Sequence, residues 1–136
     1  MRERSHVWYD LPVAPRAKGR PRSKMLPGGR MISYTPRETA TAERDIRTLL
    51  VVRRPICYPA DVPLDVSIHF RMRPPERRIR EHPTTKPDLD NLAKTVLDAC
   101  NGILWADDAQ IVRLTLTKVY ADVQGTEGVL IGVETV

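Results

Sequence analysis

The sequence predicts an α+β fold: a small mixed β-sheet packed with two main helices, in the order ββαβαββ. Residues 64–72 and 111–120 alternate apolar and polar side chains, which is the period of strands with one buried face. Residues 89–100 place apolar side chains three and four apart, which is the period of one helical stripe. With 136 residues and no internal repeat, the chain has the length of a single domain over residues 1–136.

The first half of the chain predicts two short strands and a helix. His6–Leu11 is a strand that Pro12 ends, and a basic loop rich in proline and glycine covers about residues 12–29. Arg30–Tyr34 is a short returning strand. A helix should follow it to about Arg53, with buried positions at Ala42, Ile46, Leu49 and Leu50.

The start of this helix carries a local signal. Thr35 fits an N-cap residue, Pro36 fits the first helical position, and Glu38 stands three residues after Thr35 as in a capping box. The helix is therefore expected to begin at Pro36, with Thr35 as its N-cap.

The second half predicts a strand at Leu64–Met72, a basic loop at about residues 73–87, and a helix from Leu89 that Asn101 and Gly102 end. A strand at Ile111–Tyr120 and a last one at Val129–Val133 complete the sheet. The inward side chains expected on the longer of these strands are Val112, Leu114, Leu116 and Tyr120.

Charge is segregated along the chain, which has a net charge of +5. Residues 1–30 hold eight basic side chains against two acids, and residues 71–86 hold six against two. Residues 88–108 invert this balance, with five aspartates and one lysine. Cationic surface binds phosphates, and carboxylates hold the divalent metal that phosphodiester cleavage commonly needs, so this segregation is typical of a nuclease.

Composition excludes other classes of protein. A mean hydropathy of −0.36 and the lack of a long apolar run argue against a membrane span, and no secretory signal is evident, so we expect a cytoplasmic protein. Cys57 and Cys100 are far apart in apolar surroundings, and we expect both to be small buried side chains without a disulfide.

The carboxylates near the second helix form the candidate catalytic group. Asp88 and Asp90 are two residues apart, and helical residues two apart point about 200° away from each other. They can therefore share a cation only if Asp88 lies in extended chain before the helix. Lys94 lies four residues after Asp90 on the same face, where it can reach a scissile phosphate or steady the carboxylate.

A third carboxylate follows the helix. Gly102 reverses the chain, and Asp107 or Asp108 then enters a strand that packs beside the helix. We hypothesise that this closure brings one of them to the end that carries Asp88 and Asp90. Three acids and a lysine suit hydrolysis assisted by Mg²⁺ or Mn²⁺. A structural alternative stays open, in which the acids cap the helix and Lys94 pairs with a neighbouring aspartate.

These residues resemble the RusA family of Holliday-junction resolvases, found largely in bacteriophages and prophages. The similarity lies in Asp88-Leu-Asp90-Asn-Leu-x-Lys94, then Asp98-Ala-x-Asn101-Gly, then Trp105-x-Asp-Asp108-Ala-Gln-Ile-Val. An N-terminal part, Lys18-Gly-Arg-Pro-Arg22 with Tyr34-Thr-Pro36, is similar as well, so the resemblance covers most of residues 7–120.

The resemblance implies a RusA-like fold and a homodimeric, Mg²⁺-dependent endonuclease that nicks four-way DNA junctions symmetrically in recombination and repair, with one active site per subunit. Asp88, Asp90 and Asp108 match the metal-binding acids of the family, Lys94 matches its essential lysine, and Asp107 is an additional candidate ligand. Some members carry a basic residue directly before the first aspartate, where this chain has Pro87 with Lys86 one position earlier.

The DNA contacts are expected in the basic segments. The candidates are Lys18, Arg20, Arg22, Arg77, Arg78, Arg80 and Lys86. Two alternatives remain open from the sequence: a less selective nuclease that cleaves flaps, forks or other branched DNA, and a non-catalytic DNA-binding dimer. The non-catalytic dimer would bind with the same salt sensitivity but show no metal-dependent turnover.

Overall fold

The computed structural model of the protein describes residues 5–77 and 80–136, and these residues form two helices and six strands. The strands are β1 (His6–Leu11), β2 (Arg22–Leu26), β3 (Arg30–Tyr34), β4 (Leu64–Met72), β5 (Ile111–Tyr120) and β6 (Gly128–Thr135). The helices are α1 (Arg37–Val51) and α2 (Leu89–Cys100), and a single 3₁₀ turn at Asp108–Gln110 leads into β5. The predicted α+β class, with two main helices and a mixed sheet, is confirmed.

Four strands form the main sheet, in the order β1, β6, β4, β5. β6 pairs antiparallel with both β1 and β4, whereas β4 and β5 are parallel. A parallel pair needs a long crossover connection, and here that connection contains α2. Since the chain returns along α2 before it enters β5, the start of α2 lies near the end of β5.

Both helices contribute to one core with the inward side of the sheet. Leu64, Val66, Ile68 and Phe70 of β4 are fully buried at every second position, as the alternation predicts. The helices add a larger set of buried side chains: Ala42, Ile46, Leu50, Leu92, Val96, Ala99 and Cys100. Burying one large apolar side chain stabilises the fold by about 1.5–3 kcal/mol, so this core fixes α2 against the sheet.

The loop predicted at residues 12–29 is wrong in part, because β2 lies inside it. β2 pairs with β3 in an antiparallel hairpin, and Gly28 and Gly29 turn the chain between them. Their φ angles of +97° and +82° favour glycine, so the pair that suggests a loop in fact closes a hairpin. Apart from Leu26, the side chains of both strands are exposed, and the hairpin projects from the core.

The start of α1 lies one residue later than predicted, and its predicted cap is wrong. The helix begins at Arg37 with Pro36 in the N-cap position, and no side-chain hydrogen bond caps it, so the expected capping by Thr35 does not occur. The helix ends at Val51, close to the expected end at Arg53.

The inward face of β5 is less buried than its alternation predicts. Val112 is 65 % exposed and Leu114 is 40 % exposed. The pairing of β5 with β4 shifts between Leu64 and Asp65, opposite Val112, and β5 is an edge strand of the sheet. A bulge and an open edge both move side chains out of the core.

Two expectations from composition have different outcomes. Cys100 is buried as expected, but Cys57 is exposed, because it lies in the loop that follows α1. Across residues 5–77 and 80–136, neither helix has the length and apolar character that a bilayer crossing requires.

Candidate active site and DNA-binding surface

Asp88 lies immediately before α2 in extended backbone, with φ −72° and ψ 149°. This is the conformation that the sequence argument requires if Asp88 and Asp90 are to share a cation. The Asp88 carbonyl oxygen accepts a hydrogen bond from the Leu92 amide at 3.0 Å, but its carboxylate makes no capping hydrogen bond. The carboxylate is 47 % exposed and accepts a hydrogen bond from Lys86 Nζ at 3.1 Å. Since it does not cap the helix, the carboxylate is accessible to a ligand.

Lys118 of β5 holds the segment that leads to Asp88. Its Nζ donates hydrogen bonds to the carbonyl oxygens of Thr85, at 2.7 Å, and Pro87, at 2.9 Å. Because Pro87 directly precedes Asp88, these bonds fix the backbone at the point where the chain enters α2. A hydrogen bond from a charged donor contributes about 1.5–3 kcal/mol, so Lys118 is a strong anchor for this segment.

Asp90, Lys94 and Asp98 lie four residues apart and therefore share one face of α2. Asp90 and Lys94 are exposed, and Asp98 is half-buried. Within the part of the chain that the structure describes, Lys94 is not at ion-pair distance from Asp90 or Asp98. The exposed ammonium group is therefore available to a phosphate from solution.

The turn that carries Asp108 is fastened to the end of α2 by Asn101. The side-chain oxygen of Asn101 accepts hydrogen bonds from Trp105 Nε1 at 2.8 Å and from the Asp108 backbone amide at 3.0 Å. Trp105 is fully buried, so this turn is part of the core.

Asp107 has a structural role in the same turn. Its carboxylate accepts a hydrogen bond from the Ala109 amide at 3.3 Å, and its own amide donates to Gln110 Oε1 at 3.2 Å. Buried Gln110 also donates through Nε2 to the carbonyl oxygens of Pro59 and Val62. Asp107 and Gln110 thus form a capping box in which both reciprocal hydrogen bonds are present.

The pKa of the Asp108 carboxyl group is raised above its usual value. Burial raises the pKa of its carboxyl group, and the neighbouring Asp107 carboxyl and the charge of Asp98 raise this pKa further. A hydrogen bond with Asn101 partly offsets these effects by lowering the pKa. Like charges that raise a carboxyl pKa are relieved by an added cation.

The candidate acids do not all meet within one chain. Asp88 and Asp90 are at the first turn of α2, whereas Asp107 and Asp108 lie beside Asn101 and Asp98 at its other end. Among residues 5–77 and 80–136, no three histidine, cysteine, aspartate or glutamate side chains are placed to hold one metal ion. A single copy of the chain therefore does not contain the closure hypothesised from the sequence.

Lys18 was predicted to contact DNA, but in the structure its side chain forms ion pairs within the protein. Its ammonium group forms ion pairs with Glu43 of α1 and Asp98 of α2, and its backbone amide donates to the Asn91 carbonyl oxygen. Partial burial lowers the pKa of Lys18, but the hydrogen bonds to Glu43 and Asp98 outweigh it and leave the pKa raised. Lys18 therefore fastens the N-terminal segment to both helices.

The other basic candidates lie on accessible surface. Arg20 and Arg22 are exposed and line an open cleft of about 900 Å³ together with Arg16 and Arg37, beside the acids Glu38 and Asp45. Arg77 and Arg80 are exposed at another cleft of about 520 Å³. Arg78 lies outside the described residues.

A third cleft lies against the segment that precedes Asp88. It measures about 410 Å³ and is lined by Arg16, Arg73, Lys86 and Lys118, with Glu127 as the acid among them. Lys86 is 84 % exposed. Basic side chains therefore surround the entry to the N-terminal end of α2, where phosphates would be attracted.

Sequence reasoning missed the residues that hold the acids in place. Lys118 falls on the inward side of β5 between Leu116 and Tyr120, and a lysine at an inward position is the signal that would have identified it. The sequence predicts Asn101 as a helix end and as part of the family motif, but it does not predict that the Asn101 side chain joins α2 to Asp108.

Replacing Lys118 by Met should loosen the backbone that positions Asp88, the carboxylate that the resemblance assigns to a divalent cation. We expect the divalent-cation concentration for half-maximal activity to rise about 10–100-fold, the range that follows when a group that orients a metal ligand is lost. Arg113→Met is the matched control, because it removes the same charge from an exposed part of β5. Equal behaviour of the two variants would contradict the positioning role, and Lys118→Arg should restore part of the cation affinity.

Comparison with known proteins identifies the family. The model of the endodeoxyribonuclease RusA family matches residues 12–131. A curated relative, the uncharacterized protein YqaN of Bacillus subtilis (strain 168), is 30 % identical over 118 residues, which cover 79 % of this chain and 83 % of the relative. The match includes α2, the acids at both of its ends and Lys94, and it confirms the resemblance found in the sequence. The chain therefore belongs to the RusA family of endodeoxyribonucleases.

Proposed function

We propose that the protein is a Mg²⁺-dependent, structure-selective endonuclease that resolves Holliday junctions by paired, symmetric nicks during DNA recombination and repair. The observation that carries this proposal is the family match, whose range, residues 12–131, contains the acids at both ends of α2 and the exposed Lys94 between them. The proposed catalytic residues are Asp88, Asp90, Asp108 and Lys94.

The charge distribution supports DNA as the substrate. Basic side chains line the clefts along the N-terminal segment and along the segment that precedes Asp88. The basic clefts bind backbone phosphates of the DNA arms, and this contact positions the scissile bond without selecting a sequence. The Lys94 ammonium group faces solvent on the same side of α2 as Asp90, where it stabilises negative charge that develops on the phosphate.

The proposed cation is Mg²⁺, with Mn²⁺ as a substitute. The donor set suits it, because Asp88, Asp90 and Asp108 offer the hard carboxylate oxygens that these ions prefer, and Asp107 is a further candidate. When bound, the ion supplies a more acidic water molecule and offsets charge on the phosphate. The three acids of one chain are nevertheless too dispersed to form that site alone.

A homodimer is part of the proposal, because two symmetry-related nicks need two symmetry-related sites. The hairpin of β2 and β3 supports it, since a two-stranded ribbon that projects from the core is only marginally stable in water. Four of its apolar side chains are exposed: Met25, Met31, Ile32 and Tyr34. A second copy is a plausible physical cover for such a surface.

Cleavage of labelled DNA tests the proposal. Wild-type protein is incubated with a synthetic four-way junction, a flap, a fork and a linear duplex of the same sequences, with and without Mg²⁺. Mg²⁺-dependent nicking of the junction alone is the expected result. Equal cleavage of flaps and forks would indicate a general branched-DNA nuclease, and tight binding without cleavage in Mg²⁺ or Mn²⁺ would indicate a non-catalytic dimer.

Replacing Arg77, Arg78 and Arg80 together by Ala should weaken junction binding. Each lost phosphate contact reduces the slope of log affinity against log salt by about one, so we expect a slope that is smaller by about two to three. Titrations at several salt concentrations measure this slope. An unchanged affinity and slope would exclude this basic segment from the DNA interface.

A further inference from the structure

The hairpin of β2 and β3 presents two chemically different faces. Residues that pair directly across an antiparallel ribbon lie on the same face, and the face alternates along each strand. On the first face, each pair joins one cation to one aromatic or aliphatic side chain: Arg22 with Tyr34, Lys24 with Ile32, and Arg30 with Leu26. The second face carries two other pairs, Met25 with Met31 and Ser23 with Ser33. The cations of the hairpin therefore all lie on the first face, which we call the cationic face.

The charge of the cationic face is not neutralised by the protein. Arg22, Lys24 and Arg30 are exposed, and none of the three forms an ion pair with any residue that the structure describes. Residues 11–37, which include the whole hairpin, hold seven basic side chains and no acid. A polyanion is therefore the partner whose charge complements this face.

The dimensions of the hairpin fit DNA. Arg22 and Lys24 are two residues apart on β2, which corresponds to about 6.8 Å along an antiparallel strand. The phosphates of one DNA strand follow each other about every 3.4 Å along the helix axis, so the two cations match every second phosphate. Strands of five residues extend about 17 Å, and a two-stranded ribbon fits into the major groove, which is about 12 Å wide.

Contact with phosphates alone does not explain the other side chains of the cationic face. Tyr34 is 42 % exposed and Ile32 is 37 % exposed, each directly across the hairpin from a cation. Aromatic side chains among cations stack on bases that are open to the protein, and aliphatic side chains insert between base steps. In a continuous duplex the neighbouring base pairs cover both faces of each pair, whereas this stacking is interrupted where four arms meet. Tyr34 and Ile32 therefore favour a branch point over a linear duplex.

We propose that the cationic face of the hairpin recognises the branch point of a DNA junction. Its cations bind phosphates of the crossing strands, and Tyr34 and Ile32 stack on the base pairs that end at the point where the arms meet. The inference rests on the proposed function for the substrate, but it assigns the selectivity for branched DNA to a segment that carries none of the candidate acids. The opposite face, with Met25 and Met31, stays open to a second copy of the chain.

Equilibrium binding without Mg²⁺ tests the role of the two uncharged side chains. A variant with Ile32→Ser and Tyr34→Ser is titrated with a four-way junction and with a linear duplex of the same sequences. We expect its junction affinity to fall about 10–100-fold, the range for lost base stacking, and its duplex affinity to change less than about twofold. Tyr34→Phe keeps the ring and should keep the preference for the junction. Ile56→Ser, in the loop after α1, removes another exposed aliphatic side chain and should bind like wild type.

An unchanged preference in the Ile32→Ser, Tyr34→Ser variant would overturn the proposal. Light scattering gives the molar mass of the same preparations. If this variant were a monomer while wild type is a dimer, the cationic face would be a subunit contact, and the proposal would again be overturned.

The cations should affect binding in a different way. Replacing Arg22, Lys24 and Arg30 together by Gln is expected to weaken binding to the junction and to the duplex alike. The slope of log affinity against log salt should become smaller by about two to three, because three phosphate contacts are lost. A slope equal to that of wild type would overturn the role of these cations.

Site-directed cleavage locates the hairpin on the DNA. In a Cys57→Ser background, which removes the exposed native thiol, Ser33→Cys places a thiol on the opposite face of the hairpin for an iron chelate that breaks nearby DNA strands when peroxide is added. We expect breaks within a few nucleotides of the branch point, and breaks confined to the arms would overturn the proposal. If wild type bound junction and duplex equally, the proposed function would be at fault, and the positions of these breaks would still decide where the hairpin lies.

Discussion

Asp90→Asn is expected to abolish nicking of a four-way junction while junction binding stays equal to wild type or becomes tighter. The substitution removes an exposed carboxylate from the first turn of α2 with almost no change in volume. Metal ligands supply several kcal/mol of transition-state stabilisation, so we expect the nicking rate to fall at least about a thousandfold. Binding should not suffer, because the proposed function places this negative charge beside DNA phosphates and the substitution removes it.

Single-turnover cleavage and gel-shift titration of the same preparations measure these two effects. Asp122→Asn, which removes an exposed carboxylate from the loop between β5 and β6, is the matched control and should cleave like wild type. Wild-type cleavage by Asp90→Asn would contradict the catalytic assignment. A parallel loss of binding and cleavage would instead assign Asp90 to the structure of the helix.

Trp105→Ala should have the largest effect on stability. Trp105 is fully buried in the core, and its indole Nε1 donates to the Asn101 side-chain oxygen. Truncating a buried aromatic side chain to alanine costs about 3–5 kcal/mol of unfolding free energy, because it removes burial and leaves a cavity. The loss should also release the turn that holds Asp108, so Mg²⁺-dependent nicking should disappear even where the variant stays folded.

Urea unfolding followed by circular dichroism measures the stability change, since the signal does not depend on the two tryptophans themselves. Trp105→Phe keeps much of the bulk and removes the indole donor, while the Asn101 oxygen keeps its hydrogen bond from the Asp108 amide. The lost hydrogen bond and the lost volume should together cost about 1–3 kcal/mol. Trp8→Ala is the control, because Trp8 is 46 % exposed, and should cost about 1 kcal/mol. A smaller effect for Trp105→Ala than for Trp8→Ala would contradict this view of the core.

Periodicity in the sequence predicts the elements that build the core. β4 and α2 have the predicted bounds, and their buried faces follow the predicted spacing, because packing against a single core imposes one period on each element. Periodicity does not predict the hairpin of β2 and β3, because nearly all its side chains are exposed and no buried face imposes an alternation of apolar and polar residues. The exposure of Val112 depends on a bulge in strand pairing, which is a tertiary feature.

Some features of the candidate site can likewise be predicted from local sequence, and others depend on tertiary structure. The extended backbone at Asp88 and the common face of Asp90 and Lys94 follow from local spacing. The position of Asp108 depends on the direction of α2 relative to β5, which a helical period does not contain. The engagement of Lys18 with Glu43 and Asp98 joins residues far apart in sequence, and no local pattern predicts it.

Cleavage of a supercoiled plasmid that extrudes a cruciform tests the central claim most directly. The cruciform is a four-way junction in a closed circle, so two paired nicks in one binding event convert the plasmid to a linear form, whereas a single nick gives an open circle. We predict linear product with Mg²⁺, with symmetric ends at the cruciform base, and none with Asp90→Asn. Open circles alone, or no product with Mg²⁺ or Mn²⁺, would contradict resolution by paired nicks.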